Sequence, residues 1–572
     1  MNKTTSSKEK SKGKNTKKVA YEKWSSPIPE SRWRGFRSKH KGVEAFKSLE
    51  KFEQAQLSEL EHSLEDHEKK ALSPLLAQGK KDAIEIFIRT HGANPISDPG
   101  GSINIPVGVA KADVIDLAQE PSAEANAALL RGEVVYVLFQ AGEGSRFNRG
   151  PMFSLNPLEV AKELSHELDL QNEIDEIERK KKEIDPAIAS FLSDGPLGPK
   201  QPILIRAGLR RVVQDEVRAG RLDLAQADQT YQKALQNQKI LFFMGRRGGL
   251  SEEHHKALSE TYGFYGFHPQ NLVTVDQELV HGLTLKEDGS VQLLTDEMSS
   301  DAAGHLYAFL QAARQGDFTM YTESGRPIKS MELDALGYLA TRGGNILSII
   351  RINDMDRHST EIVNAKALGY TLSMFKKGYF NVIEGVANPK GQKGGTGTTF
   401  IDPETHVLTE THENSYPILS RAIEKAMKEY LKKNQGRHPA YNAMRQWASL
   451  QQTRKVLRDF GGRIVFVPRQ KKVDGKQLTY LGVDMPMGDL SLFLGHYSSR
   501  MFQFSDPEGK ELLIHDMKRR EDLDIALRTI LKQMEDPNII AATREVLKKE
   551  KVPIEEPKEP REFYGAPVPE FE

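Results

Sequence analysis

Cysteine is missing from all 572 residues of the chain, which excludes a disulfide framework and every thiolate metal site. Net charge is missing too, since 80 lysines and arginines meet 80 aspartates and glutamates. No global field then draws the chain to a nucleic acid or a charged membrane, and any polyanion must be held locally. No apolar run reaches the roughly 18 residues of a membrane span, and the first residues lack the apolar stretch of a signal peptide. These absences lead us to expect a soluble, cytoplasmic protein with no nucleic-acid or membrane partner. The length allows several domains and a sizeable core.

Both ends are short of apolar residues. MNKTTSSKEKSKGKNTKKVA carries seven lysines and one glutamate, too little to offset the entropy of ordering, so it reads as a solvated tail. At the other end, KVPIEEPKEPREFYGAPVPEFE has five prolines and six glutamates, which predicts an extended segment with Phe563 and Tyr564 as its points of attachment. Residues 40–88 are helix-rich, with apolar residues at three- and four-residue spacing.

From Val134 onward short β-rich runs alternate with helical stretches: VVYVLF, KILFFMG, NLVTVD, ILSIIRI, FNVIEGV and RIVFVP. Continuous apolar strands in such alternation predict a mostly parallel sheet covered on both faces. Residues 158–192 interrupt the pattern with a charged amphipathic segment, read as an inserted helical hairpin broken near Pro186. There is no internal repeat.

The first strand runs straight into Gly142-Glu143-Gly144-Ser145-Arg146. A strand, a glycine turn and a following helix place backbone N–H groups where an anion sits. The spacing is not that of a Walker loop, because no Lys-Ser/Thr pair follows. Phe147 stands where a dinucleotide fingerprint has its third small residue. What remains is a glycine turn followed by arginine, the side chain that grips phosphate bidentately. On this stretch alone a plain structural turn and an anion site stay equally open.

Later segments resemble, in order, those of the UDP-sugar pyrophosphorylase superfamily, which includes the UTP–glucose-1-phosphate uridylyltransferases and UDP-N-acetylglucosamine pyrophosphorylases. LFQAGEGSRFN is similar to the family's glycine loop. YGFYGFHPQNLVTVDQELV resembles its turn and following strand, DAAGHLYAFL its glycine-rich segment and IIRINDMD its strand ending in aspartate. VLTETHENS, AYNAMRQWASL, VDMPMGDLSLF and MKRREDL follow in family order to about residue 523.

The resemblance implies an α/β fold with a doubly wound, Rossmann-like nucleotidyltransferase core. A basic tail (1–34) and a helix-rich N-terminal domain (35–128) would precede the catalytic domain (129–505). A smaller C-terminal domain with its tail (506–572) would follow. It implies synthesis of a UDP-sugar and pyrophosphate from UTP and a sugar 1-phosphate, with Mg²⁺. Gly142, Gly144, Ser145 and Arg146 would hold the triphosphate, and Lys518 would add a cation. Gln277 and Gly304 would receive the uracil, while Asn442 with Glu410 or Glu413 would bond sugar hydroxyls. Asp354 would ligate Mg²⁺, with Asp356 the next candidate.

Two departures stand out. Ala141 replaces the first family glycine, and RGPMF lacks the lysine that follows the family arginine, leaving Arg149 or Lys200 to replace it. His305 and His358 read as hydrogen-bonded scaffold rather than metal ligands, and NPKGQKGGTGT as a surface loop. The alternative function is a non-catalytic nucleotide- or sugar-nucleotide-binding descendant of the fold. An NAD-dependent enzyme ranks last, for want of an acidic residue placed to meet a ribose.

Overall fold

The computed structural model describes residues 107–109, 112–116, 119–140, 152–245, 250–281, 283–285, 291–293, 300–302, 304–329, 332–351, 354–356, 362–386, 397–400, 407–410, 427–460, 465–473, 476–484, 499–505, 514–516 and 522–555. The basic tail, the helix-rich stretch 40–88, Phe563 and Tyr564 lie outside the described residues.

The central element is a ten-stranded sheet. Its strands are β1 (Asp113–Asp116), β2 (Val134–Phe139), β3 (Lys239–Gly245), β4 (Leu272–Gln277), β5 (Thr319–Tyr321), β6 (Pro327–Lys329), β7 (Ile346–Arg351), β8 (Asn381–Val386), β9 (Tyr441–Ser449) and β10 (Ser499–Ser505). They lie in the order β6-β5-β4-β3-β2-β7-β9-β8-β10-β1. β4, β3, β2 and β7 run parallel, as do β8, β10 and β1, while β9 runs antiparallel between β7 and β8. The expected doubly covered α/β sheet is present in this form, with one antiparallel strand in its middle and a hairpin at one edge.

Five of the six apolar runs form strands of this sheet. RIVFVP does not: it opens Val465–Val473, the outermost strand of a separate four-stranded sheet, where it pairs with Lys476–Asp484. Pro468 explains the placement, because a residue without an N–H cannot serve a central ladder and is confined to an edge. The strand β9 went unread because its sequence, YNAMRQWAS, is polar at half its positions.

Both faces of the sheet are covered. Tyr136 and Leu138 of β2 join a cluster with Ala128 and Leu129 of α1 (Ala123–Arg131), Leu209 and Val213 of α5 (Leu197–Arg218) and Leu235 of α6 (Leu224–Asn237). On the other face Phe139 stacks on Phe243 with ring centroids 4.7 Å apart, and both meet Phe309 at 5.9 and 5.2 Å. Side chains alternate across a strand, so one apolar run feeds both layers. β1 and α1 precede residue 129 yet belong to this sheet and its cover.

The inserted segment folds as three helices rather than a hairpin: α2 (Pro157–Leu168), α3 (Gln171–Lys181) and α4 (Pro186–Asp194). The break before Pro186 was legible, with Asp185 as its cap. The earlier break was not, because it depends on Asp169 taking a left-handed conformation, φ 50°, which aspartate tolerates better than most residues.

The C-terminal helices α9 (Leu523–Glu535) and α10 (Pro537–Lys548) return to the middle of the chain. Glu545 of α10 is buried and accepts from Arg206, Arg210 at 2.6 Å and Tyr231 at 2.8 Å. Arg210 also donates to the carbonyls of Val552 (2.9 Å) and Pro553 (2.7 Å), and Arg211 pairs with Asp536 at 2.5 Å. The described start of the C-terminal tail is thus held by carbonyls and by Ile554 N–H to Asp228. Removing the carboxylate in Glu545→Ala leaves two guanidinium groups buried without their counter-ion, a loss of about 3–5 kcal/mol. Chemical denaturation should show this as a large drop in midpoint, whereas Arg179→Ala, which breaks only exposed pairs, should leave the midpoint unchanged.

Candidate active site

The chain passes from β2 to β3 and β4 on one side, then returns to β7 on the other side of β2. In a doubly wound sheet that reversal opens a crevice beyond the carboxyl ends of the two strands. Registers align those ends: Arg351 is level with Phe139, Phe139 with Phe243, and Gly245 with Gln277. The sequence predicts the glycine loop at this edge, since Gly142, Gly144, Ser145 and Arg146 follow β2 directly. Those four residues, and Arg149, lie outside the described residues.

The described groups around the loop are well defined. Gln140, the residue after β2, is buried and donates from Nε2 to the Gly198 carbonyl (3.2 Å) and Gln201 Oε1 (3.1 Å). The Gly198 carbonyl is available because Pro202, four residues on, has no N–H to give it. Pro202, which removes a hydrogen bond from the start of α5, therefore lets that turn dock against the end of β2. On the far side of the loop, Phe153 packs on Gly198, where an added Cβ would lie 1.9 Å from the ring, and meets His254 at 3.6 Å between centroids.

Lys200 lies in this docked turn. It is fully buried and donates to the Leu192 carbonyl at 2.7 Å, one of the carbonyls left open at the end of α4. Burial pushes its amine down to about 7, against the opposing pull of Asp194.

Gln277 is the buried last residue of β4. The backbone on both sides of it is tied to α8 (His305–Ala312): Gln311 donates to the Asp276 carbonyl at 3.4 Å and accepts from Glu278 N–H at 3.1 Å. Tyr307 donates to the Glu278 carboxylate at 2.8 Å. Gly304 opens this helix with φ 82°, a conformation that suits glycine. His305 places its ring edge-on to Phe139 at 4.6 Å, so the start of α8 reaches the end of β2. Gln277 and Gly304 are therefore on one helix–strand unit beside the crevice.

Asn442 lies near the start of antiparallel β9, paired with Gly385, so it too stands at the carboxyl edge of β7 and β8. Asp354 pairs with Asp516 in a two-stranded ladder, Asp354–Asp356 against Ile514–Asp516, three residues beyond the end of β7. Asp356 pairs with Ile514 on the same ladder. Glu410 pairs with Gly397 in a separate three-stranded sheet, whose strand Val407–Glu410 touches β10. Glu413, His358 and Lys518 lie outside the described residues. Among the described residues there is no cluster of three or more metal-ligating side chains, and no helix is long and apolar enough to cross a membrane.

Sequence reasoning overlooked Gln140, Gln201 and Gly198, and the His254-His255 pair on α7 (Leu250–Lys256). The signal for the first group was Pro202 spaced four residues after Gly198. The histidine doublet, which follows the end of β3 at Gly245, gave a weaker one.

The fold is a mixed α/β one with a large, mostly parallel sheet, whose strand order reverses between β2 and β7. No protein-family model matches the chain, and no curated protein sequence matches it. Among solved structures it is similar to the UDP-N-acetylglucosamine pyrophosphorylase of Trypanosoma brucei in complex with an inhibitor. That likeness has 12% identity and a TM-score of 0.45, covering 88% of this chain and 84% of the other. It is also similar to the UDP-glucose pyrophosphorylase of Leishmania major, with 12% identity, a TM-score of 0.42, and 80% and 76% covered.

The Lys200 amine gives a pH signature. Its folded value of about 7 lies below the ordinary 10.5, so between those values the unfolded chain holds more protons than the folded one. Stability from this group therefore rises with pH across that window and is lowest below it. In Lys200→Met, denaturation midpoints compared at pH 7 and pH 10 should lose that rise. Equal slopes in wild type and variant would place the amine in water.

Proposed function

We propose that the chain is a uridylyltransferase that makes a UDP-sugar and pyrophosphate from UTP and a sugar 1-phosphate. The observation that carries this reading is the convergence on one sheet edge. The strand that enters the glycine loop, Gln277, the start of α8 at Gly304 and the start of β9 at Asn442 come from segments some 300 residues apart, in the order of the resembled motifs.

The chemistry follows from that layout. A phosphate oxygen of the sugar 1-phosphate attacks the α-phosphorus of UTP, the new P–O bond forms, and the bond to the departing pyrophosphate breaks. Such a reaction asks mainly for positioning and charge neutralisation. Gly142, Gly144, Ser145 and Arg146 hold the triphosphate, Gln277 and Gly304 the uracil, and Asn442 with Glu410 or Glu413 the sugar. Lys200 serves the triphosphate when it leaves the Leu192 carbonyl.

The register that sets Asp354 opposite Asp516 suits Mg²⁺. Carboxylate oxygens are the donors this ion takes. Bound there, Mg²⁺ would neutralise phosphate charge. Lys518 follows Asp516 by two residues in the sequence, and we assign it the cation that meets the phosphates.

A non-catalytic binder is the second reading, and the capping of α4 by Lys200 favours it. Purified protein given UTP, Mg²⁺ and a panel of sugar 1-phosphates separates the two: pyrophosphate release supports the enzyme, and nucleotide binding without release supports the binder. In the enzyme, Arg146→Ala should weaken UTP affinity and turnover together. Asp354→Asn should abolish metal-dependent turnover. Lys518→Ala should lower kcat by roughly a hundredfold with a smaller change in UTP affinity; a near-wild-type kcat would remove it from the site.

A further inference from the structure

His255 lies on α7 between two groups that no part of the proposed reaction uses. Its Nδ1 is 2.7 Å from the Tyr321 hydroxyl, and its Nε2 is 3.6 Å from Asp276 Oδ1. The hydrogen bond between Nδ1 and the Tyr321 hydroxyl takes its direction from the tautomer of the ring, and Asp276 stands at ion-pair distance from the other nitrogen. Burial raises the pKa of Tyr321 and keeps the phenol neutral. The three residues connect β5, α7 and β4.

Asp276 immediately precedes Gln277, and successive side chains of a strand point to opposite faces. The peptide joining them is thus held from two directions: His255 faces the Asp276 side chain, and Gln311 of α8 bonds the Asp276 carbonyl and the Glu278 N–H. The neighbouring His254 is buried against Phe153 at the exit of the glycine loop. Burial, with His255 beside it, pushes His254 down to about 3, so the ring is neutral there. One short helix therefore meets Phe153, which follows the glycine loop in the chain, with one histidine and the strand assigned to the base with the next.

We infer that His255, set by Tyr321, is a positioning residue for nucleobase recognition: it fixes the end of β4 so that Gln277 presents its amide to the pyrimidine edge. The inference rests on the proposed assignment of Gln277 to the base. Amide recognition of a pyrimidine needs angular accuracy, and uracil and cytosine differ only in the donor and acceptor pattern at one ring edge. A loosened Gln277 would lose discrimination before it loses binding.

The test measures affinities of wild type, His255→Leu and Tyr321→Phe for UTP, CTP and inorganic pyrophosphate, with thermal midpoints alongside. In both variants the UTP-to-CTP preference should fall about fivefold or more, with pyrophosphate affinity unchanged. Tyr321→Phe removes a single oxygen and keeps the test alive if His255→Leu does not fold. An unchanged preference in a folded variant, or an equal loss for all three ligands, would overturn the inference. A wild type that binds UTP and CTP alike would instead overturn the assignment of Gln277, and the inference with it.

Discussion

The buried carboxylate of Glu545 is the contact on which the rest of the structure turns. It joins Arg206 and Arg210, both on α5, to the C-terminal helix more than 330 residues away. The same Arg206 donates to the Tyr265 carbonyl at 2.7 Å and lies over Gly266. Those residues belong to Gly263-Phe264-Tyr265-Gly266, four consecutive positions with positive φ. Left-handed backbone at Phe264 and Tyr265 costs energy that the surroundings must over-determine. The buried guanidinium and the stacking of Tyr265 on Tyr262 at 4.8 Å do so. The turn leads into β4 and hence to Gln277.

At its other end α5 grips β2 through Gln140, Gly198 and Gln201. A single 22-residue helix thus connects the C-terminal segment, the turn before β4 and the entrance to the glycine loop. Burying two arginines against one glutamate is not in itself a route to high stability, because desolvation opposes the attraction. Its effect is directional: the guanidinium forks accept only a few arrangements of carbonyl and carboxylate, and these fix the position of α5. The helices that follow residue 505 are accordingly part of what holds the crevice in shape.

Much of this was legible in the chain, for identifiable reasons. Val134–Phe139 and Lys239–Gly245 are buried on both faces and show as unbroken apolar runs. The cap at Asp185-Pro186 is a local signal and was read as a break. β9 was missed because polar residues such as Arg445 and Gln446 interrupt its apolar run. The C-terminal clamp was missed because a glutamate in PNIIAATREVLK looks like any solvated helix residue until Arg206 and Arg210 arrive from elsewhere. At the site, Gln277 and Gly304 could be named from motif order, but their shared attachment to α8 rests on Gln311, which no local pattern distinguishes. Lys200 was named as a cation for phosphate, and the structure adds that its buried amine closes a helix end at the Leu192 carbonyl.

The central claim is that the crevice beyond β2 and β7 receives a uridine nucleotide, with its base at β4. A crystal structure of the protein soaked with UDP-glucose or UDP-N-acetylglucosamine tests it most directly. The account predicts uracil against Gln277 and Gly304, with the diphosphate at the loop that follows Gln140. A sugar nucleotide bound at the amino edge of the sheet, or with its base remote from Gln277, would contradict it.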